Sequence, residues 1–374
     1  MHPETEPKPS LKAIAEAFFE GCIKPSRTAF WAMLVGLAAN LALAGWFFRY
    51  DTLASSAGAY LAGSYKDVYA IATHRALALA REKTDQPLLL VLGSSATSTA
   101  FAFEGDVKAE VDRATGRDWE VAFLTTGAQG PIEQLALLDT VFAAKENQGR
   151  EVVVLLGVEA SIGYWNRATI VKMYKTVRLG LRSDWADAAW VKIGVTPKPR
   201  SRFYVVENSD FVAVNGATAM MRLLTRQPAT PRYDHYAPKD SQALAARQEG
   251  RQRIGMETRE GHKINDGDYL GLLQDLGHHL AAFPNVHLII APERPSPELV
   301  KAENIGGILA EDTARYAALA AELGAEFWPM MAEGTIPQSA YYDELHIGDP
   351  AIRAKIIAEL AARIAASPKG ESQS

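Results

Sequence analysis

The sequence predicts an α/β fold, a parallel five-stranded sheet with helices on both faces, preceded by one membrane-spanning helix. Three observations carry this. Short continuous apolar runs recur, as in strands buried on both faces. Helical stretches alternate with them. One uncharged segment of 21 residues stands near the N-terminus.

That segment, Thr28 to Phe48, reads TAFWAMLVGLAANLALAGWFF. At about 1.5 Å per residue it crosses a hydrocarbon core of roughly 30 Å. Trp31 and Trp46 stand near its ends, where aromatic belts form. A buried core helix seldom runs this long without a charge. A cleaved signal peptide fits less well, because 27 residues precede the run and signal cores are shorter. Small residues follow from Leu53, so a cleavage reading stays open beside the preferred uncleaved anchor. Lys8, Lys12, Lys24 and Arg27 precede the span, and only Arg49 follows closely. The positive-inside rule therefore expects residues 1–27 in the cytoplasm and the body outside. Cys22, the only cysteine, falls on the reducing side and excludes a disulfide framework. The net charge of −5, without a long basic run, gives no reason to expect nucleic-acid binding.

Beyond the span, residues 49–84 read as a helical stalk, with the helix from Tyr65 to Lys83, and residues 85–366 as the catalytic body. Strands are expected at Pro87–Leu92, Trp119–Thr125, Glu151–Gly157, Val286–Ala291 and Glu326–Trp328. Helices are expected at Asp106–Thr115, Ile132–Lys145, Asp266–Ala282, Glu311–Leu323 and about Pro350–Ala366. Residues 160–261, rich in Trp, Tyr, Arg and Pro, break the alternation and read as an insertion. Residues 367–374 read as a disordered tail. The pattern fits a flavodoxin-like doubly wound order of 2-1-3-4-5, with ligands expected beyond the carboxyl ends of the strands.

Three sites stand at that edge. Leu92-Gly93-Ser94-Ser95 follows the first strand, where a serine either caps a helix or serves as a nucleophile. Gly127-Ala128-Gln129-Gly130-Pro131 follows the second, where glycine lets a backbone N–H approach a reacting carbonyl or simply makes a turn. Asp343-Glu344-Leu345-His346 precedes the last helix. A histidine can take a serine proton, and a carboxylate can fix the imidazole tautomer. Asp349, before Pro350, reads as the cap of that helix, leaving Asp343 to His346.

In this order the motifs resemble those of the SGNH (GDSL-like) hydrolase superfamily over roughly Pro87 to Ala366. The resemblance implies Ser95 as nucleophile, His346 as base and Asp343 as its orienting partner. It implies oxyanion donors at Ser95 and Gly130, with Gly127 as the alternative glycine, and Ser94 where the family has aspartate. The family's Gly-x-Asn-Asp block reads Gly157-Val158-Glu159-Ala160 here. An ionised Glu159 would repel an oxyanion, so another donor serves, or Glu159 turns away or binds something else. Gly-Ser-Ser with an N-terminal anchor is similar to the D-alanine transfer proteins of teichoic-acid modification and to anchored exopolysaccharide O-acetylation proteins. The implied activity is acyl transfer to a glycan or polysaccharide hydroxyl outside the cytoplasmic membrane, in the periplasm or extracellular space. The implied partner is a membrane-bound O-acyltransferase or glycan synthase complex. Neither metal nor cofactor is implied. A membrane-anchored esterase or lipase and a non-catalytic scaffold are the alternatives.

Within the expected insertion, Tyr164, Trp165, Tyr174, Trp185 and Trp190 interleave with Arg167, Lys172, Lys175, Arg178 and Arg182. They read as a cap with a solvated basic face, or as residues that stack on sugars or rest at the membrane interface. His278 and His279, adjacent on a helix, diverge by about 100° and make a poor chelate.

Overall fold

The computed structural model of the chain describes residues 26–55, 60, 68–158, 179–227, 266–302, 304, 306–330 and 336–367. Helix α1 runs Arg27–Phe47, with the Ser26 hydroxyl accepting from the Ala29 N–H. It is long and apolar enough to cross a membrane, and its large side chains are exposed, Trp31 at 62% and Val35 at 64%. Only Phe47 in it is buried. A helix that shows its apolar residues on every side is stable in lipid and not in water. A short helix, α2 (Tyr50–Ala54), follows.

Helix α3 (Val68–Leu79) occupies the centre of the stretch expected to be a stalk. Ala70, Ala72, Thr73, Ala76, Leu77 and Leu79 are buried, and the helix packs on α6 of the body, Pro131–Phe142. Its small alanine face fits close against neighbouring helices, so it covers the sheet instead of lifting the body away. The Asn147 side chain ties this helix in by donating to the Leu79 carbonyl at 2.9 Å.

The strands are β1 (Leu88–Leu92), β2 (Glu120–Phe123), β3 (Val152–Val158), β4 (Val286–Pro292) and β5 (Glu326–Phe327). They form one all-parallel sheet in the order β2-β1-β3-β4-β5. Residues one apart along each strand enter opposite cores. Leu88, Leu90, Leu92, Val154 and Ile290 pack under α3, α6 (Pro131–Phe142), α8 (Asp184–Lys192), α11 (Asp266–Ala281) and α13 (Gly306–Leu323). Leu89, Val91, Val153, Leu155 and Ile289 pack under α4 (Ser95–Phe101), α5 (Glu104–Thr115) and α14 (Pro350–Ala366). This two-sided burial is why the strands lack polar alternation.

Helix ends follow local chemistry. Gly116 closes α5 in the left-handed conformation at φ 69°. Pro131 opens α6 and Pro350 opens α14, where proline's missing N–H has no helical partner to lose. The Asp349 carboxylate caps α14, accepting from Ala351 and Ile352 at 2.7 and 3.1 Å. A short α7 (Lys145–Gly149) follows α6, and α12 (Pro297–Ala302) precedes α13. Between β3 and α11 the described residues form α8, α9 (Tyr204–Glu207) and α10 (Ser209–Thr225). Most of the tail and parts of the expected insertion lie outside the described residues.

Candidate active site

Strand β1 ends in a turn that only glycine permits. Gly93 has φ 147°, and a Cβ there would lie 2.3 Å from the Thr97 hydroxyl oxygen. Ser94 caps α4, its hydroxyl accepting from the Ala96 N–H at 3.1 Å. The capping role open to either serine therefore falls to Ser94. Ser95 becomes the first residue of α4, with its hydroxyl 2.8 Å from His346 Nε2. Both residues are partly exposed, so a substrate can reach them.

Asp343 and His346 lie in the loop before α14. The Asp343 carboxylate accepts from His346 Nδ1 at 2.7 Å and from the backbone N–H groups of Leu345 and His346 at 3.0 and 2.9 Å. A proton on Nδ1, facing the carboxylate, leaves Nε2 as acceptor for the Ser95 hydroxyl. Burial raises the Asp343 carboxyl, but the hydrogen bonds and charge of His346 outweigh it and hold the group down at about 2. Asp343 is thus ionised at neutral pH.

Arg353 of α14 joins the two halves. Its guanidinium donates to the Thr99 carbonyl in α4 at 2.8 Å and to the Ile347 carbonyl beside His346 at 2.7 Å. Backbone contacts add to this, with Tyr342 N–H donating to the His346 carbonyl at 2.8 Å and Ser296 N–H to the Glu344 carbonyl at 2.7 Å.

Sequence reasoning missed Glu293, which follows β4. It is 5% exposed. Its carboxylate accepts from the Ser94 backbone N–H at 3.2 Å and from the Thr97 hydroxyl at 2.8 Å, so it grips the turn on both sides of Ser95. Burial raises its pKa, and the bonds from Ser94 and Thr97 only partly oppose that. The surrounding glycines serve the same contact. A Cβ on Gly157 would lie 2.0 Å from the Thr97 hydroxyl oxygen. Gly93 and Gly157 thus leave the space Thr97 occupies. The residue in the sequence that hinted at this was Glu293 itself, an acid directly at the carboxyl end of a buried strand.

The second glycine block stands at the same sheet edge. Gly130 is buried at the N-terminal boundary of α6. Gly127 offers its carbonyl to the Tyr69 hydroxyl at 2.6 Å. Gln129 between them latches the blocks together, accepting from Gly93 N–H at 2.6 Å and donating to the Leu124 carbonyl at 2.6 Å. Glu159 lies outside the described residues.

No protein-family model matches this chain, and no curated protein is matched by its sequence.

Of the aromatic and basic residues expected to meet sugar or membrane, Tyr164, Trp165, Arg167, Lys172, Tyr174, Lys175 and Arg178 lie outside the described residues. Trp185 is stacked on His279, with ring centroids 4.2 Å apart. Trp190 packs against the core, and Arg182 is bound to Asp187 and the Lys198 carbonyl. The stacking also gives His279 a packing role.

Proposed function

We propose that this chain is an SGNH-type serine acyltransferase, tethered outside the cytoplasmic membrane by α1 and passing an acyl group to a glycan hydroxyl. The observation that carries the reading is the continuous line from Ser95 Oγ to His346 Nε2 at 2.8 Å and from His346 Nδ1 to Asp343 at 2.7 Å. A serine hydroxyl is a weak nucleophile until a base takes its proton, and a base holds the right tautomer when a carboxylate faces its other nitrogen.

In the proposed reaction Ser95 Oγ attacks the donor's acyl carbonyl while His346 takes the hydroxyl proton. Asp343 stabilises the imidazolium. The tetrahedral oxyanion is held by backbone N–H donors, for which Ser95 and Gly130 are the candidates. Collapse expels the leaving group, which receives the proton from His346, and leaves acyl-Ser95. A glycan hydroxyl then attacks this ester, giving its proton to His346. The acylated glycan departs and Ser95 is restored. Glu293 and Arg353 act as positioning residues, holding the serine turn and the histidine loop. The proposed partner is a membrane-bound O-acyltransferase or glycan synthase that supplies donor or acceptor.

A fluorophosphonate probe on the full-length protein, read by mass spectrometry, tests the reading. The expected adduct is on Ser95, absent in Ser95→Ala and slowed by about 10³-fold or more in His346→Ala. A folded protein that takes no label at Ser95 overturns the catalytic reading and favours a scaffold. If the adduct forms, transfer to an oligosaccharide compared with release to water separates transferase from esterase.

A further inference from the structure

Helices α9 and α10 expose an apolar surface that the described residues do not cover. From Phe211 to Met221 the sequence FVAVNGATAMM has no charged side chain. One face is accounted for. Phe211, Gly216 and Ala219 are buried, and a Cβ on Gly216 would lie 3.6 Å from the Phe48 ring. The described residues leave the other face uncovered. Val214, Met221 and Leu224 are 75%, 60% and 74% exposed, and Phe203 and Val206 just before α10 are 73% and 63% exposed. Positions 214, 221 and 224 repeat at helical spacing, so they form one stripe. Water-facing helix surfaces are normally polar, and a contiguous apolar stripe marks a contact.

Its position indicates what covers it. Ala44, in the last turn of α1, packs against the same apolar cluster that holds Phe47, Phe48, Tyr204, Phe211 and Ala219. Helix α9 touches α1. Tyr50, just past α1, meets the Tyr204 ring edge-on at 4.7 Å and donates to the Glu207 carboxylate at 2.9 Å. In a span of this length the final turn lies at headgroup level. Elements packed on that turn lie there too. Arg202 stands just before the stripe, and Arg222 and Arg226 toward its end. Apolar residues between basic ends suit the boundary between acyl chains and anionic headgroups.

We propose that α9 and α10 form a second membrane contact, lying in the interfacial layer with Phe203, Val206, Val214, Met221 and Leu224 among the lipid chains beside α1. The partner is the lipid surface itself. This rests on reading α1 as a membrane span. Two contacts fix the tilt of the body over the bilayer, where a single tether would let it swing.

The test uses the full chain with Cys22→Ser, carrying one spin-labelled cysteine at a time, in phosphatidylethanolamine–phosphatidylglycerol vesicles. The probes are Val214→Cys, Met221→Cys and Leu224→Cys. Leu37→Cys in α1 reports the span, and Lys355→Cys, exposed on α14 under the opposite sheet face, reports water. Collision rates with oxygen and with a water-soluble nickel chelate are compared. The three probes are expected to favour oxygen, as Leu37 does, and Lys355 to favour nickel. A lipid signal at Leu37 with nickel access at all three overturns the second contact alone. Shielding from both reagents also overturns it, in favour of another protein surface. A nickel signal at Leu37 overturns the span and the proposal with it. All five positions are exposed, and matched circular dichroism melts identify a labelled protein that has lost its fold. Should one of the three fail that check, its two companions still decide.

Discussion

The Glu293 carboxylate holds the turn bearing Ser95 from β4, reaching across β3 to bind Ser94 and Thr97. Its raised pKa means the folded protein binds a proton there more tightly than the unfolded chain does. Folding then loses stability as pH rises above the ordinary glutamate value of 4.5. A glutamine keeps an acceptor for both donors without the charge. Glu293→Gln is therefore expected to keep the fluorophosphonate adduct, and its stability relative to the parent should improve as pH rises from 4 to 8. Denaturant melts across that range measure it. Glu293→Leu leaves the two donors unpaired and should cost about 1–3 kcal/mol as well as slow labelling. A Gln variant whose stability offset does not change with pH would show that the carboxyl titrates alike folded and unfolded. Ser95, Asp343 and His346 were legible in the sequence, because each lies in a short motif at a strand or helix boundary. Glu293 was not. It sits in Pro292-Glu293-Arg294-Pro295, which reads as a polar surface turn until the fold carries it to Ser94.

Where β1 and β3 meet α4, Thr97 fills the space that Gly93 and Gly157 leave open. Gly157 has an ordinary backbone, so its need is purely steric, with the Thr97 hydroxyl oxygen and the Leu92 carbonyl at 2.0 and 3.0 Å from an added Cβ. Gly157→Ala should destabilise the protein by about 1–3 kcal/mol through overpacking. Adding Thr97→Ala should recover part of that loss, since it removes the obstructing hydroxyl. A double-mutant cycle by chemical denaturation gives the coupling, and additive losses would show that the backbone at Leu92 is the real obstacle. All five strands and their order were legible, because buried parallel strands are nearly unbroken apolar runs. Their ends were less so: Pro87 and Trp119 lie just outside β1 and β2, which begin at Leu88 and Glu120. The role of α3 was hidden because an alanine-rich stretch reads alike whether it is packed or free. Helices α8 to α10 have no strand between them; α8 packs on α6, while α9 and α10 meet the end of α1, so no alternation announced them.

For the whole molecule, the distribution of charge around α1 makes an orientation testable with the chain's own chemistry. Lys24 and Arg27 stand close before the span, with Lys8 and Lys12 further out, against Arg49 after it. Moving a cluster of cations through a bilayer opposes the inside-negative potential, so the richer flank is expected in the cytoplasm. An apolar helix long enough to span was legible from composition, and the structure adds that its large side chains are exposed up to Trp46 and that Phe47 is buried. Cys22 precedes the span and is the only thiol, which makes it a natural reporter. In spheroplasts a membrane-impermeant maleimide should leave Cys22 unlabelled until detergent is added. In a Cys22→Ser background, Lys355→Cys should label without detergent. The reverse pattern would place the body in the cytoplasm and remove an extracytoplasmic glycan as acceptor. An intact mass for the membrane-extracted chain settles the cleavage alternative in the same sample. Retention of Cys22 in a chain of 40.7 kDa means that α1 remains as anchor. A shorter chain lacking it would remove α1 as anchor and, with it, the basis for the second membrane contact proposed at α9 and α10.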